Sequence, residues 1–528
     1  MKKIKILIAS LSMLTLFSCS DWLDSTPKGV MNEDKFFMSP DAGYKTVVKC
    51  YTTLREAYGY EIPRMILNNI STDDSEKGGS DAGDRPSALD LSFGRPLSSN
   101  EDLTNYWKNL YAGIARCNLC LENISSAPLI DADGYPLTED VKARYVSEVK
   151  FLRAFFYFEL SKIFGGVPLV DHTLTVDDSK TLVRATEAAT AEFIFNDLKD
   201  AAADEALPSH TSLPATEVGR ATIEAVWALQ TKVYMFYAKD NKEYYKNALD
   251  AAKKVVEAGF ELAPNFQSLF LADNYSCKES IFVTVQGDEP SSYIYGSFVP
   301  VFSNPRSCGA YGFDQPTQNL VDEFEEGDPR LLYTVVQPGD KFPKGKGVEK
   351  LDFSSYPNTG YHNRKAFLVD SRRGLGWGDD AWTFHHIRYA DILLLYAEAV
   401  LQTGGDKQTV VDCINEVRKR ANNSRSGDVE ASSRVMEIAS VSLPMVNIDD
   451  DLMAAIRHER RVELAMEYNR LYDLKRWNIY PETMNAFSGD PNSNGRGSSF
   501  KKGVSEYFPI PQVEIDRTGG SITQNKGY

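Results

Sequence analysis

The stretch RHERRVELAMEYNRLYDLKRW, residues 457–477, concentrates ionisable side chains. His458-Glu459 opens like the zinc-binding helix HExxH, in which two histidines four apart share one face and the glutamate serves as base. Position 462, where the second histidine belongs, is Val, so the ligand pair is incomplete. Glu459, Glu463 and Glu467 recur at helical spacing among Arg457, Arg460, Arg461 and Arg470, which predicts i,i+3 and i,i+4 ion pairs along one helix. The expectation is a structural charge network with no catalytic residue. Asp131-Ala132-Asp133-Gly134 begins like a calcium loop, yet Tyr135 and Lys142 stand at its fifth and twelfth places, where oxygen ligands are required. A turn is expected there instead. Cys117-x-x-Cys120 lacks the second pair that a zinc site needs, and its helical setting predicts buried free thiols. His385-His386, adjacent rather than on one helical face, reads as structural. A glycosidase needs two carboxylates about 5 Å or about 6.5–9.5 Å apart, and 74 acidic residues neither mark such a pair nor exclude one. No Gly-rich phosphate loop or nucleophile elbow occurs. The residues thus point to no enzyme, no metal and no cofactor.

The chain of 528 residues carries a net charge of −16. An acidic surface argues against a nucleic-acid partner or a purely electrostatic membrane binder. Lys2, Lys3 and Lys5 followed by the apolar run Ile4–Phe17 form a signal peptide too short to span a bilayer, which needs about 20 residues. The run ends Leu16-Phe17-Ser18-Cys19, which resembles the bacterial lipoprotein signal, with Cys19 as the acylated new N-terminus. Two or more acyl chains, at ~0.8 kcal/mol per buried CH₂, hold a protein stably on a membrane. Cleavage removes the three lysines and leaves a mature charge of −19. The remaining cysteines, Cys50, Cys117, Cys120, Cys277, Cys308 and Cys413, need not form a disulfide framework in so large a chain.

The elements that would position these groups are mainly helical. Residues 19–39 form a polar tether, and helical patterns follow at 40–58 and 101–124. Between them lies STDDSEKGGSDAGDRPSALDLSFGRPLSSNED, a long Gly-, Ser- and Asp-rich loop of the kind that is functional or disordered. A strongly apolar helix runs to Phe164, where Gly165-Gly166 and Pro168 stop it. Residues 222–259 and 386–422 share one plan: a long apolar helix, a short polar turn and an amphipathic helix. At an offset of 162, Ala228, Tyr234, Asp250 and Val255 match Ala390, Tyr396, Asp412 and Val417. Two helices in about 35 residues is the tetratricopeptide plan, whose pairs stack to bury a common face. Residues 263–385 are rich in Gly, Pro, Tyr and Asn, with short strand-like runs such as SIFVTVQ. The expected organisation is a signal at 1–18, a tether at 19–39, helix pairs in 40–262, a loop-rich insertion at 263–385 and a last helical part at 386–528.

Four stretches in order carry a resemblance: FLRAFFYFELSKIFGGVPLV, RYADILLLYAEAVLQTGG, RHERRVELAMEYNRLYDLKRW and FPIPQVEIDRTGGSITQNKGY. With the lipoprotein-like start, the sequence resembles the SusD/RagB family of outer-membrane nutrient-binding lipoproteins over nearly the whole mature chain. The resemblance implies an α-helical fold of four tetratricopeptide-like pairs with a looped part carrying the ligand site. It also implies a SusC-like TonB-dependent transporter as partner, a surface-exposed location on the outer membrane, and capture of a nutrient, foremost an oligosaccharide. A peptide- or glycoprotein-binding member, or more remotely a tethered hydrolase, is the alternative.

A sugar ring offers apolar C–H faces to aromatic side chains and hydroxyls to Asp, Asn and Arg, so loop aromatics are the feature to seek. Trp107, Trp227 and Trp477 lie in helical patterns with apolar neighbours and are expected in the core, Trp22 lies in the tether, and Trp382 in a strand-like run. Trp377, between Gly376 and Gly378, is the leading loop candidate, either open to a ligand or folded back on the core. Tyr293, Tyr295 and Tyr311 form a second group. Family sites also draw on the loop before NYWKNLY, which here offers Asp81, Arg85 and Phe93.

Overall fold

The computed structural model describes residues 33–271, 277–287, 296–344, 346–354, 359–370, 373, 380–424 and 442–528. Its main helices are α1 (Ala42–Tyr51), α2 (Pro86–Ser92), α3 (Glu101–Ser126), α4 (Glu139–Phe164), α5 (Glu187–Ala201), α6 (Ile223–Tyr237), α7 (Tyr244–Val256), α8 (Tyr389–Gln402), α9 (Lys407–Asn423), α10 (Leu452–Leu464) and α11 (Arg470–Arg476). Short polar side chains start six of them: Asn100, Thr138, Thr186, Thr222, Asp406 and Asp451 each accept a backbone N–H of the first turn. Neighbouring helices then pack in succession, α3 on α4, α4 on α5, α6 on α7 and α8 on α9, with α7 resting on α8.

Helix α4 is densely apolar from Val149 onward and is buried along nearly all of that stretch, with Arg153 and Glu159 ion-paired in the interior. Phe151 and Phe155 meet Phe282, and Phe158 meets Phe236 and Tyr472, at ring separations of 4.9–6.2 Å. It stops at Gly165, whose φ of 77° suits glycine. Donors from far along the chain satisfy its last carbonyls: Phe508 N–H reaches Ile163 O at 2.9 Å, and Asn525 Nδ2 reaches Phe164 O at 3.1 Å.

The strands are short. β1 (Ser75–Gly78) pairs antiparallel with β3 (Phe313–Pro316), and β2 (Ser280–Thr284) with β4 (Phe384–Arg388), which leads directly into α8. The stretch 71–102, expected as a continuous loop, therefore contains both a strand and helix α2. Trp107 is core, but Trp227 and Trp477 are only half-buried, each under a cationic side chain. Asp131 to Gly134 forms a turn in which Asp131 Oδ1 accepts the Asp133 and Tyr135 N–H groups at 3.0 and 2.9 Å.

The charge network differs from the expected one in its geometry. Helix α10 ends at Leu464, and Met466 and Tyr468 take φ values of 61° and 66°, so Glu467 is not on its face. The partners of these glutamates also lie elsewhere than on the same helix. Glu459 pairs with Arg330 and Arg418, Glu463 with Arg330, Arg388 and Arg420, and Glu467 with Arg388 and Lys365. Arg461 and Arg470 reach Asp73 at 3.0 and 2.7 Å. The charged face points inward, and buried charges must find partners on whatever packs against them. Burial pushes the Glu463 carboxyl up, but Arg420, Arg388 and Arg330 outweigh it and hold the group well below the usual carboxylate range.

Candidate functional site

The register of β1 on β3 sets Gly78 opposite Phe313. A Cβ at Gly78 would stand 2.1 Å from the Gly312 carbonyl oxygen, and φ there is +73°, so the approach requires glycine. Two irregular segments meet at this end of the ribbon: 79–85, leading into α2, and 297–312, leading into β3. Lys77, fully buried, moulds the first by donating from Nζ to the carbonyls of Gly78, Asp81 and Asp84 at 2.8, 3.0 and 2.7 Å. Asp81 Oδ1 accepts the Gly83 and Asp84 N–H groups at 2.8 and 3.1 Å. The Gly83 N–H and the Ser80 hydroxyl hold its exposed carboxyl below the ordinary range, so it stays ionised. Arg85, at φ 53°, ion-pairs with Asp102 in the first turn of α3 and lays its guanidinium 5.5 Å from the Phe302 ring centre.

The second segment supplies the rings. Phe302 stacks on Phe313 at 4.4 Å, and Tyr311 stands edge-on to both at 5.9 and 6.3 Å. Tyr58, 52% exposed on a π-helical turn (Ala57–Glu61), meets Phe298 at 5.6 Å. Burial, then the nearby Tyr58 and Asp84, raise the Tyr311 hydroxyl. Arg306 bridges the two segments, with its guanidinium 3.7 Å from Asp84. Aromatic faces, an ionised carboxylate and two guanidiniums thus share one rim, a set suited to a ring with apolar faces and polar edges.

Of the residues selected from sequence, Asp81, Arg85 and Tyr311 come together here. Phe93 does not: it lies at the far end of α2, about 10 Å of helix away, under Arg95 and beside the Gly495 turn. Tyr293, Tyr295, Trp377 and Cys19 lie outside the described residues. The described flanks of the first three, Ser297 and Asp380, exchange backbone hydrogen bonds of 2.9 and 3.4 Å beside the site. Trp382 is buried, its Nε1–H donating to the Lys365 carbonyl. Tyr58, Asp84, Phe298, Phe302 and Arg306 were not anticipated. Asp84 adjoins Arg85 in the same polar loop, and Tyr58 is marked only by its neighbour Gly59. Among the described residues, no group of three or more His, Cys, Asp or Glu side chains could hold a metal ion, and no helix is long and apolar enough to cross a membrane.

A family profile described as "SusD family" matches residues 224–528, more than half the chain. The chain belongs to the SusD family. A second profile, "Starch-binding associating with outer membrane", matches residues 89–235. Among family relatives, SusD-like protein P2 of Formosa agariphila is 25% identical, with 100% of both chains covered. A SusD homolog of Bacteroides thetaiotaomicron shares the fold at a TM-score of 0.77 and 23% identity, covering 94% of this chain and 99% of that one. Surface glycan-binding protein A of the same organism, solved in complex with laminarihexaose, matches at a TM-score of 0.73 and 20% identity over 92% and 99%. The mainly helical architecture with few short strands is that of the SusD family.

Proposed function

We propose that this SusD-family protein binds a glycan at the rim formed by residues 79–85, Tyr58 and 297–313, and passes it unaltered to a SusC-like TonB-dependent transporter. Acylated Cys19 tethers it to the outer membrane, facing outward. The observation that carries the reading is the convergence of Tyr58, Phe298 and Tyr311 with Asp81, Arg85 and Arg306 on one face. The laminarihexaose-bound relative and the starch-binding profile support glycan as the ligand class.

A glycan array probed with the chain from residue 20 onward, including laminarin and starch oligosaccharides, tests this. Bound glycans should be recovered unchanged. Tyr58→Ala removes an exposed ring and should cost on the order of 2 kcal/mol of affinity, about 30-fold, at constant melting temperature. Undiminished affinity in that variant would move the site elsewhere, and a shortened glycan would make the protein a hydrolase.

A further inference from the structure

Glu61 closes the π-helical turn that displays Tyr58. Its carboxyl is turned inward and buried, directly behind the start of the aromatic segment. Oε1 accepts the Ser297 hydroxyl at 3.0 Å and the Gln286 amide, and Oε2 accepts the Phe298 N–H at 3.0 Å. One carboxyl therefore fastens Phe298 to the turn carrying Tyr58, and so sets the spacing of the two rings. All three of its donors are neutral, and it makes no ion pair among the described residues. A carboxylate buried with neutral donors alone resists ionisation, because desolvation opposes the charge. The Ser297 hydroxyl, by rotating, can accept from the protonated acid, so the clasp can close around a neutral carboxyl.

We propose that Glu61 is a positioning residue that holds the Tyr58–Phe298 wall closed as a neutral carboxylic acid, and that its ionisation loosens residues 296–300. The grip of the site is then controlled by protons. This deepens the glycan reading and rests on it for its consequence, though not for its test. Burial raises the Glu61 group from 4.5 to about 7, against the pull of its three hydrogen bonds and of Arg55. The other titratable groups facing it keep one state across this range. On the same and following turns, burial raises Tyr60 well above its ordinary value, and Arg64 stays charged. From β4, His386 is held neutral by burial and then by Arg64. Burial likewise raises Tyr468, and Glu159 of α4, 3.9 Å from Arg64, stays ionised. A second buried carboxyl, Asp314, lies at the other end of the segment, so the readout belongs at 296–300 and not at 311–316.

Hydrogen exchange of the mature chain, without glycan and corrected for intrinsic rates, tests the proposal over about pH 5 to 8. An opened segment exposes Glu61 to water at its ordinary pKa. Protection at 296–300 should therefore fall about tenfold per pH unit up to about pH 7 and level off beyond. Glu61→Gln, which cannot ionise, should give a flat profile. A flat profile in the wild type, or the same slope in both proteins, would overturn the proposal. Carbon-13 NMR of glutamate-labelled wild type reads Glu61 directly should the variant fail to fold. Titration near pH 7 supports the assignment, and titration below about pH 5 refutes it. No glycan enters either measurement, so a failed glycan reading and a failed proton clasp are told apart.

Discussion

Arg388 and Glu463 meet at 2.7 Å in the interior, the arginine 2% exposed and the glutamate wholly covered. Arg388 belongs to the strand that leads into α8 and Glu463 to the last turn of α10, so the pair locks two distant parts of the chain together. Arg388→Met leaves Glu279, Glu463 and Glu467 each short of a partner. It should destabilise the fold by about 3–5 kcal/mol, read by denaturant unfolding, while glycan affinity per folded molecule holds. A loss under about 1 kcal/mol would show that Lys365, Arg330 and Arg420 suffice.

Stability should decline from mildly acidic to neutral pH. Burial lifts Glu61 from 4.5 to about 7 and Asp314 from 3.8 to about 6. The folded state holds these protons after the unfolded chain has released them, so the stabilisation is complete below the unfolded values and is lost as pH rises through the folded ones. Glu61 alone contributes a fall of ~3 kcal/mol. Glu463 and Asp391, held low by their cations against burial, act oppositely and cost stability only in stronger acid. Melting temperature should peak near about pH 5, and Glu61→Gln with Asp314→Asn should flatten the decline toward about pH 8.

Trp377→Ala should weaken glycan binding by about 2 kcal/mol with little change in melting temperature. Gly376 and Gly378, its neighbours in sequence, contribute no side chain of their own. An indole packed on the core would instead cost ~3–5 kcal/mol of stability on truncation. Melting and calorimetry on one mutant separate the two.

Cys19→Ala should release the protein from the membrane fraction without changing its melting temperature. Cys19 precedes the first core-packed element, the short helix Glu33–Phe37 with its buried Phe37, so removing the thiol should leave the packing unchanged. Retention of the variant in outer membranes lacking the transporter would count against lipidation.

Helix α4 and its Gly165 stop were legible because apolar density and a glycine end are local signals. The strand in 71–102 was not, since β1 finds its partner at 313–316, and only that pairing makes it a strand. The break after Leu464 also left no mark: Met466 and Tyr468 carry ordinary side chains in a left-handed backbone that tertiary contacts impose. At the site, Asp81 and Arg85 stood out in a polar loop. Tyr58 did not, because its exposure follows from a π-helical turn rather than from a regular period. The charges of 457–477 announced a network, but their partners are set by which elements lie opposite.

The capping of α4 by Phe508 and Asn525 has a temporal meaning. The Asn525 amide that closes the helix is 361 positions downstream of the carbonyl it serves. During synthesis the central helix can form early, and Arg184 can reach the Phe164 carbonyl at 2.8 Å soon after, but the Ile163 carbonyl waits for Phe508. The last latch on the central helix is thus fastened from the back of the chain, after the nearer one is already in place.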